Sequence, residues 1–213
     1  MSANISHHIP PEIMAAYAAG SLPHAFSLVV ATHVSMCEDC RAELAAQETV
    51  GGVVLETLDS AEVSAGLKAD VLSMLDDPVP PEPAPAKRSG VYPGPVMEAL
   101  KGKPPRWKAL GGGVKQCVLT GEGGSVSRLL WIPPGKPVPD HGHNGLELTL
   151  VLQGGFSDET GHFEVGDVEV ATDDLDHVPT ADPGAPCICL AATDAPLKFN
   201  SFLPRLLQPL FGI

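Results

Sequence analysis

Two periodicities divide this chain. Up to about residue 76, apolar positions recur at helical spacing within the Ala-rich segments EIMAAYAAG (12–20), AFSLVVATHVSM (25–36) and CEDCRAELAAQETVGGVVLETL (37–58). Gly20 is a natural stop for the first of these. A fourth helix is predicted over SAEVSAGLKADVLSMLDD (60–77). There Asp59 and Glu62 have capping-box spacing, and Val63, Leu67, Val71 and Leu75 recur every four residues as one apolar stripe. By default such a stripe packs on its own domain. The sharper alternative is docking on a partner, because a helix that ends a domain before a linker can detach from its bundle.

After residue 96 the pattern shortens to the β-rich runs VKQCVLT, SVSRLLWI, ELTLVLQ, VEVAT and CICLAAT, divided by Gly, Pro and Asp clusters. Runs at that spacing predict a sandwich or a small barrel. Between the two regimes lies DDPVPPEPAPAKRSGVYPGP, whose close prolines favour an extended linker over helix or central strand. The expected fold class is therefore α+β in two domains: residues 1–76 all-α, 77–96 a Pro-rich linker, and 97–213 all-β.

Charge narrows the partners. The formal net charge is -13, and residues 1–85 hold twelve acidic side chains against only Arg41 and Lys68. A chain so charged is poorly suited to a phosphate backbone, which argues against direct nucleic-acid binding and for a basic protein partner. The start, MSANISHHIP, lacks a basic flank followed by an apolar core, and no stretch approaches membrane-spanning length. A soluble cytoplasmic protein with no membrane contact is expected. Five cysteines without a regular framework point to metal binding or thiol chemistry rather than to structural disulfides.

Two constellations carry the chemistry. In PDHGHNGLELTLVLQGG (139–155), His141, His143 and Glu147 share parity, so an uninterrupted extended chain places all three on one face. If Asn144-Gly145 makes a turn instead, a hairpin can return Glu147 beside the imidazoles. His177, just past VEVATDDLD, is the candidate fourth donor, in a segment able to run antiparallel to the first. A mixed nitrogen and oxygen set of this kind accepts zinc, manganese, iron or nickel. The second constellation is His33, Cys37 and Cys40, with three-residue and two-residue gaps that suit zinc, the fourth donor to come from His7, His8 or His24. Cys187-x-Cys189 is expected to divide between the two faces of its strand, unable to bridge, with one thiol facing the interior as a candidate oxidant sensor. Cys117 reads as core.

These motifs resemble known families. Gly135, His141-x-His143, Glu147 and Gly154, with gaps of five, three and six residues, resemble the first cupin motif. Gly166-Asp167 and His177 match part of the second, whose Pro-x-Gly before the histidine and Asn after it are missing. That resemblance covers about residues 105 to 200 and implies an antiparallel double-sheet barrel with a metal inside. The H-x-x-x-C-x-x-C pattern in a small acidic helical segment is similar to the zinc-binding anti-sigma factors, whose fourth ligand is a histidine upstream of the first helix, matching His8 or His7. Both modules in one chain, with AYAAG, FSLVVATH, LLWIPPG and CICLAATDAPLKFNSFLP, resemble the ChrR anti-sigma factors.

This last resemblance implies a ligand at His8, one zinc in the helical domain, and a second metal, expected to be zinc, in the cupin. It also implies an extracytoplasmic-function sigma factor as partner. That partner would be released on oxidative stress by singlet oxygen or organic hydroperoxide, with no catalysis required. The rival reading is a metal-dependent cupin enzyme, a dioxygenase or isomerase, with an appended structural zinc module.

Overall fold

The computed structural model describes residues 5–76, 78, 84–142, 144–196 and 198–199. Helix α1 (Pro11–Ala18) opens on a proline, whose fixed φ suits a first turn. It closes at Gly20, φ 68°, where Ser21 N donates to Ala16 O and Gly20 N to Tyr17 O, the paired bonds of a left-handed C-cap. Helix α2 (His24–Val34) follows Pro23, and α3 (Glu38–Glu56) is capped by the Cys37 sulfur, with Glu38 and Asp39 in its first turn favouring the positive helix end.

The predicted fourth helix is shorter than its apolar stripe. Residues 59–64 are not helical, and α4 (Leu67–Ser73) begins only after Gly66, running into a 3-10 turn at Met74–Asp76. Val63 therefore lies outside the helix it was expected to join. A short helix α5 (Gly94–Ala99) follows, with Val96 and Met97 buried.

The rest is β. The strands are β1 (Lys108–Gly111), β2 (Val114–Glu122), β3 (Ser125–Ile132), β4 (His141–Gly142), β5 (Glu147–Gln153) and β6 (Gly155–Ser157). They continue with β7 (His162–Glu164), β8 (Val168–Ala171), β9 (Asp176–His177), β10 (Thr180–Ala181), β11 (Cys187–Thr193) and β12 (Lys198–Phe199). One six-stranded sheet has the order β1-β2-β3-β11-β5-β8, and two three-stranded sheets have the orders β10-β6-β7 and β12-β4-β9, every pairing antiparallel. The interruption at Asn144-Gly145 is real, since β4 ends at Gly142 and β5 starts at Glu147. Parity along one continuous strand therefore does not apply.

The helices and the sheet share one core. Ala25, Phe26, Val29 and Val30 of α2 are buried with Leu129, Leu148, Leu150 and Leu190, which line one side of the six-stranded sheet. The reason is visible in composition. Helix α2 is apolar around most of its circumference, while α3 contributes only Cys40 as a buried residue, so the sheet supplies the cover that a helical bundle would lack. Each of these valine, leucine and phenylalanine side chains gains roughly 1.5–3 kcal/mol from leaving water. Ile132, Val151, Phe156, Phe163, Ala181, Cys187 and Cys189 form a second cluster. Among the described residues, no helix is long and apolar enough to cross a membrane.

Candidate metal centres

His8, His33, Cys37 and Cys40 converge, with one ligand atom of each lying within 4.8 Å of the others. The helices explain how. His33 ends α2, Cys37 caps α3, and Cys40 sits one turn into α3, so the three buried donors ring a helix junction, while exposed His8 closes the set from the arm before α1. His8 Nδ1 is 3.4 Å from Cys37 Sγ and 3.6 Å from Cys40 Sγ. His33 Nδ1 lies 2.8 Å from the Gly166 carbonyl. A carbonyl only accepts, so the ring proton is on Nδ1 and the Nε2 lone pair is left over.

That Nε2 is buried and has no hydrogen-bond partner, which is what a nitrogen reserved for a metal looks like. Burial holds His33 down at about 4, keeping the imidazole neutral, and pushes the Cys40 thiol up to about 11. A bound cation would reverse the latter, since its charge favours the thiolate. His7, the other arm candidate, is committed elsewhere, with its ring 4.5 Å from that of Phe163 and its Nδ1 3.5 Å from Asp167. His24 begins α2 and is not in the cluster.

In the β region, His141 and His177 are direct partners across the β4–β9 pairing, both buried, with ring centroids 4.7 Å apart. His141 Nδ1 bonds to Pro139 O at 2.8 Å. Glu147 starts β5 and accepts from Thr149 Oγ1 at 2.9 Å, and His143 lies outside the described residues.

Sequence reasoning missed two carboxylates here. His177 Nδ1 lies 2.6 Å from Asp158 Oδ2 and 3.2 Å from Glu169 Oε1, and all three side chains are buried. Burial works against the His177 charge, but hydrogen bonds to Glu169 and Asp158 outweigh it and raise the group to about 9. Burial pushes Glu169 up to about 7, whereas for Asp158 hydrogen bonds overcome burial and hold it below the usual carboxylate range. With Nδ1 donating to Asp158, Nε2 is the ring atom suited to a metal, the usual carboxylate–histidine arrangement behind a ligand. The signal for Asp158 was SDETG, a turn in which its Oδ1 accepts from Thr160 N at 2.8 Å and Gly161 N at 3.1 Å.

The expectation for Cys187 and Cys189 is overturned. Residues two apart in a strand share a face, and their sulfurs are 3.4 Å apart in β11. Both thiols are buried, and the hydrogen bond with Cys187, then burial, raises Cys189 well above the ordinary thiol range, so that thiol is held protonated. Cys117 is buried, as expected.

The stripe behaves oppositely to its default. Val63 is 69%, Leu67 42%, Val71 51% and Leu75 74% exposed. Val50, Val53, Val54, Leu55, Leu58, Leu72 and Met74 are exposed too. Among the described residues, Val118 is the one exposed large hydrophobic outside the 50–75 segment.

With this geometry in view, comparison with known proteins is direct. Residues 99–196 match the family model of the ChrR cupin-like domain. The chain is 52% identical over 212 residues to the anti-sigma-E factor ChrR of Cereibacter sphaeroides, covering 98% of this chain and 99% of that one. It belongs to the ChrR family of anti-sigma factors. The solved structure of Rhodobacter sphaeroides SigE in complex with the anti-sigma ChrR matches with a TM-score of 0.80 and 48% identity, over 90% of this chain and all of that one. An RmlC-like cupin from Ralstonia eutropha is a far more distant match, TM-score 0.41 and 20% identity, over 46% of this chain and 68% of that one. This chain has a cupin-like β region preceded by helices.

Proposed function

We propose that this chain is an anti-sigma factor whose helical segment binds and occludes an extracytoplasmic-function sigma factor in the cytoplasm. Its β region releases the partner on oxidative stress, by singlet oxygen or organic hydroperoxide. The observation that carries the reading on this chain is the crowding of exposed apolar side chains into residues 50–75, in a member of the ChrR family. Exposed valines and leucines so concentrated mark a surface meant to be covered. The acidic N-terminal part suits the basic DNA-binding faces of such a partner.

On this reading residues 1–76 are an all-α metal domain, 77–96 a linker, and 97–213 a cupin barrel. The helical centre is assigned zinc, held by His8, His33, Cys37 and Cys40. A tetrahedral site with metal–sulfur bonds of about 2.3 Å and metal–nitrogen bonds of about 2.1 Å has sulfur–nitrogen edges of about 3.6 Å, close to the separations of His8 Nδ1 from the two sulfurs. Zinc there supplies a structural cross-link between the arm, α2 and α3. His141, His143, Glu147 and His177 are assigned to a second metal, with Asp158 and Glu169 orienting His177. Cys187 and Cys189, now side by side, are the candidate redox pair.

Two measurements test this. The purified chain, mixed with the sigma factor encoded in the same cell, forms a stable complex that blocks transcription. Leu67→Asp with Val71→Asp weakens it, and intact binding by that double variant removes α4 from the interface. Metal analysis separates the rival: two zinc per chain favour the regulator, whereas one zinc with iron or manganese favours a cupin dioxygenase or isomerase.

A further inference from the structure

The arm that presents His8 is anchored on the β region. Ser6 N and His7 N donate to Asp167 Oδ1 at 2.8 and 2.9 Å, Val168 N donates to His7 O at 3.1 Å, and the His7 ring lies against Phe163. Asp167 is itself fixed, because its Oδ2 accepts from Glu164 N at 2.9 Å. Next to it, Gly166 adopts φ +99°, and a Cβ there would lie 2.6 Å from Ile5 Cδ1 and Cγ1, so glycine is what lets the arm lie down on the turn. The Gly166 carbonyl is the group that accepts from His33 Nδ1. One turn between β7 and β8 thus holds two of the four donor-bearing segments. Two residues further on, Glu169 contacts His177 of the other candidate centre.

We propose that the Gly166–Asp167 turn is a positioning element of the helical metal centre, setting the His33 ring and the His8 arm, so that movement around His177 reaches the thiolate-bound metal. This rests on the reading that His8, His33, Cys37 and Cys40 hold a metal. Outer groups that orient a ligand typically govern metal retention by tens of fold, and the partners here belong to a region some 130 to 160 residues away in sequence.

The test uses the full chain, kept anaerobic and loaded with cobalt(II). Thiolate-to-cobalt charge-transfer absorption reports the cysteine centre, and its loss in the double variant Cys37→Ser with Cys40→Ser makes the assignment. Decay of that band on adding EDTA is then timed at 25 °C. Asp167→Ala speeds decay about tenfold or more. Asp167→Asn, which keeps an oxygen able to accept from Ser6 and His7, falls between Asp167→Ala and the parent. Ser6→Pro removes the backbone and hydroxyl donors of Ser6 to Asp167 while leaving every residue of the β region in place, and speeds decay roughly threefold. It decides the matter if Asp167→Ala fails to fold.

A merely structural Asp167 lowers the melting temperature and leaves the decay unchanged. Parent-like decay in Ser6→Pro and in any folded Asp167→Ala overturns the proposal. A parent chain with no charge-transfer band, or with one that survives replacement of both Cys37 and Cys40 by serine, overturns instead the metal assignment on which it rests.

Discussion

His33 faces two ways, its Nδ1 spent on Gly166 and its Nε2 turned into a buried space lined by sulfur. Burial holds it at about 4, below the ordinary 6.5, so the folded metal-free chain binds fewer protons here than the unfolded chain between those values. Stability from this residue is therefore complete above about pH 6.5 and lost as pH falls toward 4, amounting to roughly 3 kcal/mol. Urea midpoints of the metal-free chain should fall over that window, and His33→Gln should flatten the fall. His177 has the opposite sign. Raised to about 9 by its carboxylates, its contribution in the metal-free chain is full below about 6.5 and disappears between 6.5 and 9, a loss that Asp158→Asn should reduce in the same titration.

Helix α2 and the outer part of α3 sit at opposite extremes of burial, and substitutions should divide them. Phe26, buried against the sheet, should cost about 3–5 kcal/mol on change to alanine. Val54→Asp on exposed α3 should change stability by less than about 0.5 kcal/mol while weakening sigma-factor binding at least about tenfold. Denaturant unfolding and a binding titration on the same preparations check both.

At this scale the sequence was legible where the pattern was local. SVSRLLWI, ELTLVLQ and CICLAAT are β3, β5 and β11 residue for residue. It misled where one pattern served two purposes. A stripe of Val63, Leu67, Val71 and Leu75 reads as a core-facing helix, yet Gly66 starts the helix late and all four side chains meet water. The very short strands β4 and β9, which bring His141 to His177, are too brief to leave a periodic signal.

Because helices and sheet bury one apolar cluster between them, the molecule should unfold in a single calorimetric transition rather than as two tethered bodies. Its charge acts at longer range. Excess acid concentrated before residue 85 should steer a basic partner, so raising salt from about 50 to 500 mM should slow association by roughly tenfold and change dissociation little, as stopped-flow mixing can measure.

The sequence offered the candidate donors of the helical cluster but not their neighbours. His33, Cys37 and Cys40 announced themselves by spacing, while the choice between His7 and His8, and the role of Gly166–Asp167, depend on contacts spanning up to 161 residues that no local pattern encodes.

Three donors of the helical centre are sealed inside, and the fourth faces solvent. If the cluster holds a metal as proposed, an ion can reach it in a chain that has already folded, from the side that His8 then closes. Loading and loss become matters of lifting a short tail, with neither α2 nor α3 required to unwind.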